Sequence, residues 1–357
     1  MRRNLPTAGS EEQRDADPAE PTGSSADGLT SLQVNSQVPL LGYAEAVDRA
    51  AYYVQPHSGY LRVSGEDRIA FIQRQTTNDV NLLSPGRVIT AVLTTPAARI
   101  IDVFTLFEEN GKIGVLTLPG KGQETFGYLR SRIFFMDKVS LEDASREFTL
   151  VELVGPQAED ILVNLGQSSR LEGDDLISIN REDLQCRIWL NRDFSYRLLL
   201  PVSQLDALTG ILEGFEAAHL STDAFDVLRI EAGIPSAGHE LTEEYTPLEA
   251  GLEQSVSATK GCYTGQEVIA RQITYDKVTR QLVGLKLEAG AATGETLRRM
   301  EDGQAVGKIT STAASPRCGP IALAVVRRPS DEPWTRLLVG EESSGRNALV
   351  VRPPFVS

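Results

Sequence analysis

The chain has 357 residues, of which 41% are hydrophobic and 24% charged, and a formal net charge of −14 at pH 7. That length exceeds what one small core supports and predicts two or three domains, while the acidic balance excludes broad, sequence-blind adhesion to nucleic acid, which needs many phosphate contacts from Lys and Arg. No apolar run approaches the roughly 18 residues of a membrane span. Three cysteines, at 186, 262 and 318, form no C-x-x-C pair and fit a reducing compartment. The polar, acidic start is unlike a secretory signal, so the expected location is cytoplasmic.

Residues 1–36 are rich in Ser, Thr, Pro, Gly, Asp and Glu and lack apolar periodicity, which predicts a disordered tail. A first domain over 37–147 opens with a helix from Glu45 to Tyr53 and a strand from Gly59 to Ser64. A second helix starts at Ser64-Gly65-Glu66-Asp67 and stops at Thr76-Thr77-Asn78-Asp79. Strands follow at Val88–Leu93, Ile100–Phe107 and Ile113–Leu118, then a helix from Gly122 to Ser131. The cycle repeats over 148–279, with strands at Thr149–Val154, Cys186–Leu190 and Tyr196–Pro201 and helices at Gln157–Leu165, Ser203–Gly214 and Phe225–Glu231. From 280 to 357, short strands at Val283–Leu287, Ala305–Ser311, Ile321–Val326 and Arg336–Val339 are separated by Gly and Pro turns, as in a small β-barrel or sandwich. The fold class expected is α+β with antiparallel sheets.

The most informative segment is Lys260-Gly261-Cys262-Tyr263-Thr264-Gly265-Gln266-Glu267. Thr264 and Glu267 have the T-x-x-E spacing of a capping box, with Tyr263 and Val268 at the staple positions, so a helix is expected to start at Thr264. Glu267 and Arg271 then form an i,i+4 pair on the outer face. Capping leaves Lys260 and Cys262 unexplained. A thiol just before a helix start and beside an ammonium is where a low-pKa cysteine arises; the other reading of Cys262 is a small buried hydrophobe. Arg271, Lys277, Arg280, Lys286, Arg298 and Arg299 concentrate positive charge after the segment, as a solvated face or as a site for a small polyanion.

Other motifs fail. Gly114 to Lys121 has one residue too many for a phosphate loop, and Gly122 stands where Ser or Thr would bind the metal. His239-Glu240 lacks the second histidine of a zinc-protease helix, because Glu243 holds its place. No serine lies in a G-x-S-x-G elbow, no dinucleotide fingerprint occurs, and the three histidines show no ligand spacing, so no metal site is expected.

The octapeptide resembles the signature of the YgfZ proteins, relatives of the glycine-cleavage T-protein (aminomethyltransferase, GcvT). The likeness extends to Leu228–Pro235, Pro247–Leu252, Ser64–Asp67 and Gln75–Val80, and covers roughly residues 40–340. It implies a GcvT-like clover of three domains around a central channel: two α+β halves, the second carrying the octapeptide, and a terminal barrel. It also implies tetrahydrofolate binding, with Asp102, Arg229, Glu231, Tyr263, Glu267 and Arg271 as contacts, and Cys262, Lys260 and Asp102 as the chemically active groups. On residue chemistry alone, Asp102 could equally be a strand-end surface carboxylate and Glu231 a surface charge. The YgfZ branch further implies a role in making or repairing iron–sulfur enzymes, including those that modify tRNA, with such enzymes or their assembly proteins as transient partners. T-proteins carry T-G-E in the second half, whereas this chain reads Asn191-Arg192-Asp193-Phe194-Ser195-Tyr196. A tetrahydrofolate-dependent aminomethyltransferase or demethylase is therefore the alternative reading, and the sequence leaves turnover open.

Overall fold

In the computed structural model, which describes residues 39–167, 170–192, 194–341 and 345–356, the chain builds two sheets, antiparallel except for one parallel edge pair in the larger, and a barrel. The tail expected over 1–36 lies outside the described residues. The α+β class with a closed C-terminal barrel is the architecture found.

Helix α1 (Tyr43–Asp48) is followed by strands β1 (Ala51–Gln55) and β2 (Tyr60–Ser64), helix α2 (Arg68–Gln75), strands β3 (Val88–Thr94), β4 (Ile100–Glu109) and β5 (Lys112–Leu116), helix α3 (Gly122–Ser131) and strand β6 (Ser140–Asp143). The five-stranded sheet has the order β3-β4-β5-β2-β6. The expected helix from Glu45 to Tyr53 is thus cut short at Asp48. Residues 51–55 instead pair with β7 (Phe148–Val154), placing β1 in the other sheet.

That second sheet has the order β11-β1-β7-β10-β9-β8 and adds β8 (Leu176–Asn180), β9 (Gln185–Asn191), β10 (Ser195–Pro201) and the short β11 (Ala218–His219). Its outer face is covered by α4 (Ala158–Asn164) and α5 (Leu205–Gly214), through Ile161, Leu162, Leu208 and Leu212. The inner faces of the two sheets meet in an aromatic and aliphatic layer of Tyr60, Phe107 and Leu116 against Leu150, Trp189 and Leu199. Strand alternation puts these on one face and the helix-facing residues on the other.

Helix α6 (Thr222–Glu231) and the irregular stretch 232–265 run from the second sheet across the first to helix α7 (Gln266–Thr274). The barrel closes with strands β12 (Arg280–Leu287), β13 (Thr296–Arg299), β14 (Ala305–Ser315), β15 (Gly319–Arg327), β16 (Arg336–Val339) and β17 (Arg346–Val351), and its interior is filled by Leu285, Leu297, Ile309, Ala324 and Val350. Closure leaves no free edge, which resolves the barrel-or-sandwich alternative.

Candidate functional site

A cavity of 660 Å³ opens between the sheets, bounded by Asn78, Asp79, Val103 and Leu118 on the five-stranded side, by Glu152, Trp189 and Arg197 on the six-stranded side, and by Phe225, Arg229 and the 234–255 stretch at its end. Its size and mixed apolar and polar lining suit one small organic ligand. Ser58 also lines it, and its hydroxyl oxygen is buried with no hydrogen-bond partner among the described residues.

Asp102 stands on β4 immediately behind the cavity wall and is fully buried, which excludes the surface-carboxylate reading. Its Oδ1 accepts from the backbone N–H of Val103 (2.8 Å) and Leu118 (2.9 Å), two wall residues, and its Oδ2 accepts from Thr125 Oγ1 at 2.5 Å. Burial pushes the carboxyl up to about 7, and the three donors oppose that rise.

Glu231 is equally buried but lies outside the cavity lining. Tyr43 Oη and Ser315 Oγ both donate to its Oε1 at 2.5 Å, and Arg317 pairs with Oε2. These bonds join α1, α6 and the barrel, so its position is that of a structural junction rather than a surface charge. Arg229 does line the cavity. Its Nε donates to Asp226 at 2.6 Å, Nη1 to Glu240 at 3.2 Å and Nη2 to Ser311 at 2.9 Å, which ties the cavity end to the barrel.

The octapeptide differs from expectation in two respects. The helix begins at Gln266, and its N-cap is Gly265 in the left-handed region at φ 85°, with no side-chain cap bond. Thr264 does not cap. Its carbonyl accepts from Thr94 Oγ1 at 2.7 Å, its N–H donates to the Arg74 carbonyl at 3.3 Å, and a Cβ on residue 265 would stand 2.8 Å from Thr95 O. Contact with the five-stranded sheet thus fixes the backbone here and makes glycine necessary.

The second departure concerns Lys260. Its Nζ donates to the carbonyls of Gln73 (2.7 Å), Thr76 (2.7 Å) and Asn78 (2.6 Å) and sits 5.0 Å from the Tyr263 ring centroid. All three ammonium donors are therefore committed to the turn after α2. Burial pushes its pKa down to about 8, against the attraction of Asp79. Asp79 is held below the ordinary carboxylate range: burial works against this but is outweighed by bonds from Asn81 and Gln73 and by the Lys260 charge. Since Asn78 and Asp79 line the cavity, Lys260 acts on the cavity by fixing its rim.

Cys262 is exposed, which excludes the buried-hydrophobe reading, and neither it nor Tyr263, Glu267 or Arg271 lines the cavity. Tyr263 is buried with Ala98, Leu248 and Ile269, and Val268 packs against this cluster; with Gly265 as N-cap, Tyr263 and Val268 no longer hold the staple positions. Glu267 and Arg271 pair with each other on the exposed face at 2.5 Å. The basic residues after the segment do not converge: Arg280 pairs with Glu249, Arg299 with Asp302, and Arg298 with the carbonyls of Gly340 and Gly303.

Sequence reasoning passed over Glu152 and Arg197. Glu152 is only 2% exposed, on the cavity wall, and accepts from Arg197 Nε at 2.8 Å and from Ser195 Oγ. The available signal was a Glu inside the apolar run Thr149–Val154, where strand burial would demand a partner.

Comparison with known proteins agrees with this architecture. The sequence matches the GCVT N-terminal domain over residues 45–185 and the glycine cleavage T-protein C-terminal barrel domain over residues 280–357. A chloroplastic protein of Arabidopsis thaliana, provisionally named a transferase, is 33% identical over 313 residues, which span 84% of this chain and 70% of that protein. The aminomethyltransferase of Bacillus subtilis is 28% identical over 325 residues, covering 87% of this chain and 89% of the enzyme. The crystal structure of glycine cleavage system aminomethyltransferase T from Bartonella henselae superposes with a TM-score of 0.78 at 23% identity, covering 88% of each chain. The chain belongs to the glycine cleavage T-protein family. Among the described residues no helix is long and apolar enough to cross a membrane.

Proposed function

We propose that this protein binds a tetrahydrofolate in the cavity and serves, as a member of the YgfZ branch, as an accessory factor for the assembly or repair of iron–sulfur enzymes, including those that modify tRNA. The observation that carries this reading is the placement of the octapeptide. Its thiol is exposed and outside the cavity, where a macromolecule can reach it, while its lysine holds the cavity rim. Ligand and partner would then be met on two sides of one segment.

The cavity has the groups a folate needs. Phe194, Phe225 and Trp189 offer flat apolar surface, and Arg87 and Arg192 positive charge toward a glutamate tail. A reduced folate would supply a nitrogen that carries one-carbon units. Calorimetric titration with tetrahydrofolate tests the ligand, and a flat titration would remove this reading. Complementation tests the role: in cells lacking the native copy, Cys262→Ala is expected to leave iron–sulfur enzyme activity at the deletion level, and full rescue would sink the accessory role.

Asp102 favours a second reading, aminomethyl transfer or demethylation with tetrahydrofolate as acceptor. A carboxyl with a pKa near 7 directly behind the wall can hold or release a proton at neutral pH, once Thr125 yields Oδ2. Methylenetetrahydrofolate formed from sarcosine or dimethylglycine would establish it, and its absence would count against it.

A further inference from the structure

The six-stranded sheet presents a charge pair to the cavity from the middle of an otherwise apolar row. Tyr53 stands opposite Glu152, Glu152 opposite Arg197, and Arg197 opposite Trp189, so the four side chains lie side by side across β1, β7, β10 and β9 on one face. Arg197 Nε donates to Glu152 Oε1 at 2.8 Å and Ser195 Oγ to Oε2, while Asn191 Nδ2 donates to Ser195 Oγ at 3.3 Å. Each carboxylate oxygen retains a second lone pair, and the Nη groups of Arg197 have no partner among the described residues. The wall therefore offers acceptors beside donors, with the charges already neutralised against each other.

We infer that Glu152 and Arg197 select 2-amino-4-oxopteridines and reject 2,4-diaminopteridines. This rests on the folate reading above and adds which edge of the ring the cavity accepts. In a 4-oxo ring, the 2-amino and N3 hydrogens meet the Glu152 lone pairs and the 4-oxygen meets the Arg197 Nη hydrogens. A 4-amino ring sets donor against donor at Arg197. It cannot recover by taking up a proton, because the carboxylate that would favour a cationic ring already faces the guanidinium. Stacked aromatic surface close by, with Tyr53 and Phe225 parallel at 4.3 Å between centroids, suits a flat heterocycle in either case, so the discrimination falls on the pair.

The test is calorimetric titration of the full chain with tetrahydrofolate and tetrahydroaminopterin, which differ only in the 4-oxo or 4-amino group. The 4-oxo ligand is expected to bind about 10- to 100-fold tighter, as for a buried donor left without an acceptor. Equal affinities, or tighter binding of the 4-amino ligand, would overturn the selection while leaving folate binding intact. Binding of neither ligand would overturn the folate reading and the inference with it. Arg197→Met is expected to erase or reverse the preference by releasing Glu152 toward a cationic ring, and an unchanged preference in the folded variant would also overturn it. Should that variant fail to fold, the ratio measured on the unsubstituted protein still decides.

Discussion

The cavity wall and the octapeptide loop share one segment, residues 73–79, yet they use their charged groups in opposite ways. In the loop, Lys260 directs every donor to backbone carbonyls of Gln73, Thr76 and Asn78 and has none left for a ligand. In the wall, Glu152 and Arg197 partner each other, and the Nη groups of Arg197 have no partner among the described residues. The most recognisable letters of this chain are structural, while the charge pair on the cavity wall sits in strands that no motif marks. Within the octapeptide, Cys262 is exposed and no hydrogen bond of its side chain is found among the described residues.

The strongest way to break that contrast is to remove the ammonium. Lys260→Met strands three carbonyl oxygens at a partly buried turn and is expected to lower the unfolding free energy by about 3–5 kcal/mol. Urea denaturation measures this. A loss below about 1 kcal/mol would mean that the loop does not depend on these bonds.

Asp102 sharpens the comparison from the cavity side through pH. Its folded pKa of about 7 lies above its ordinary value of 3.8, so the folded chain holds the extra proton between those limits. The resulting stabilisation is full below pH 3.8 and is lost as pH rises through 7. The stability of the protein relative to Asp102→Asn should therefore fall with pH between 5 and 7, by on the order of 1 kcal/mol per pH unit. A difference that is flat or rises across this window would show that the carboxylate stays ionised in the fold.

Glu231→Gln examines a buried carboxylate whose partners lie outside both regions. The amide oxygen still accepts from Tyr43 and Ser315, but an N–H replaces the acceptor for Arg317, whose side chain is partly exposed and can turn to water. A loss of about 1–2 kcal/mol in thermal unfolding is expected, with tetrahydrofolate affinity unchanged. A large fall in affinity without a change in stability would instead place Glu231 in ligand recognition.

The smallest effect on stability is expected at Cys262. Because its side chain is exposed, Cys262→Ala should stay within about 0.5 kcal/mol of the parent protein in denaturant titration. A larger loss would give the thiol the structural role now assigned to Lys260.

Local signals determined much of this molecule. Strand alternation located β3, β4 and β5 to within two residues at each end, and the Gly122–Ser131 helix was legible in full, because each carries its own periodicity and turn residues. The same signals misread Glu45–Tyr53, where helix-compatible residues continue past Asp48 but 51–55 are drawn into pairing with β7, nearly a hundred residues on in the chain. Thr264 was misread for the same reason. Its T-x-x-E spacing suits a capping box, but packing against Thr94 and Thr95 fixes Gly265 in the left-handed region and moves the helix start.

The α+β class, four of the six barrel strands and the relationship to the glycine cleavage T-protein family were legible in the sequence, whereas β13 and β17 were not. Which charged groups line the cavity is set by contacts between distant parts of the chain. Glu152 and Arg197 are 45 residues apart and become neighbours solely through β7–β10 register, while Lys260 finds its carbonyls across |i−j| separations of 182 to 187. A buried charge is satisfied by whatever the fold brings to it, and that choice is made by long-range pairing, which a one-dimensional pattern does not record.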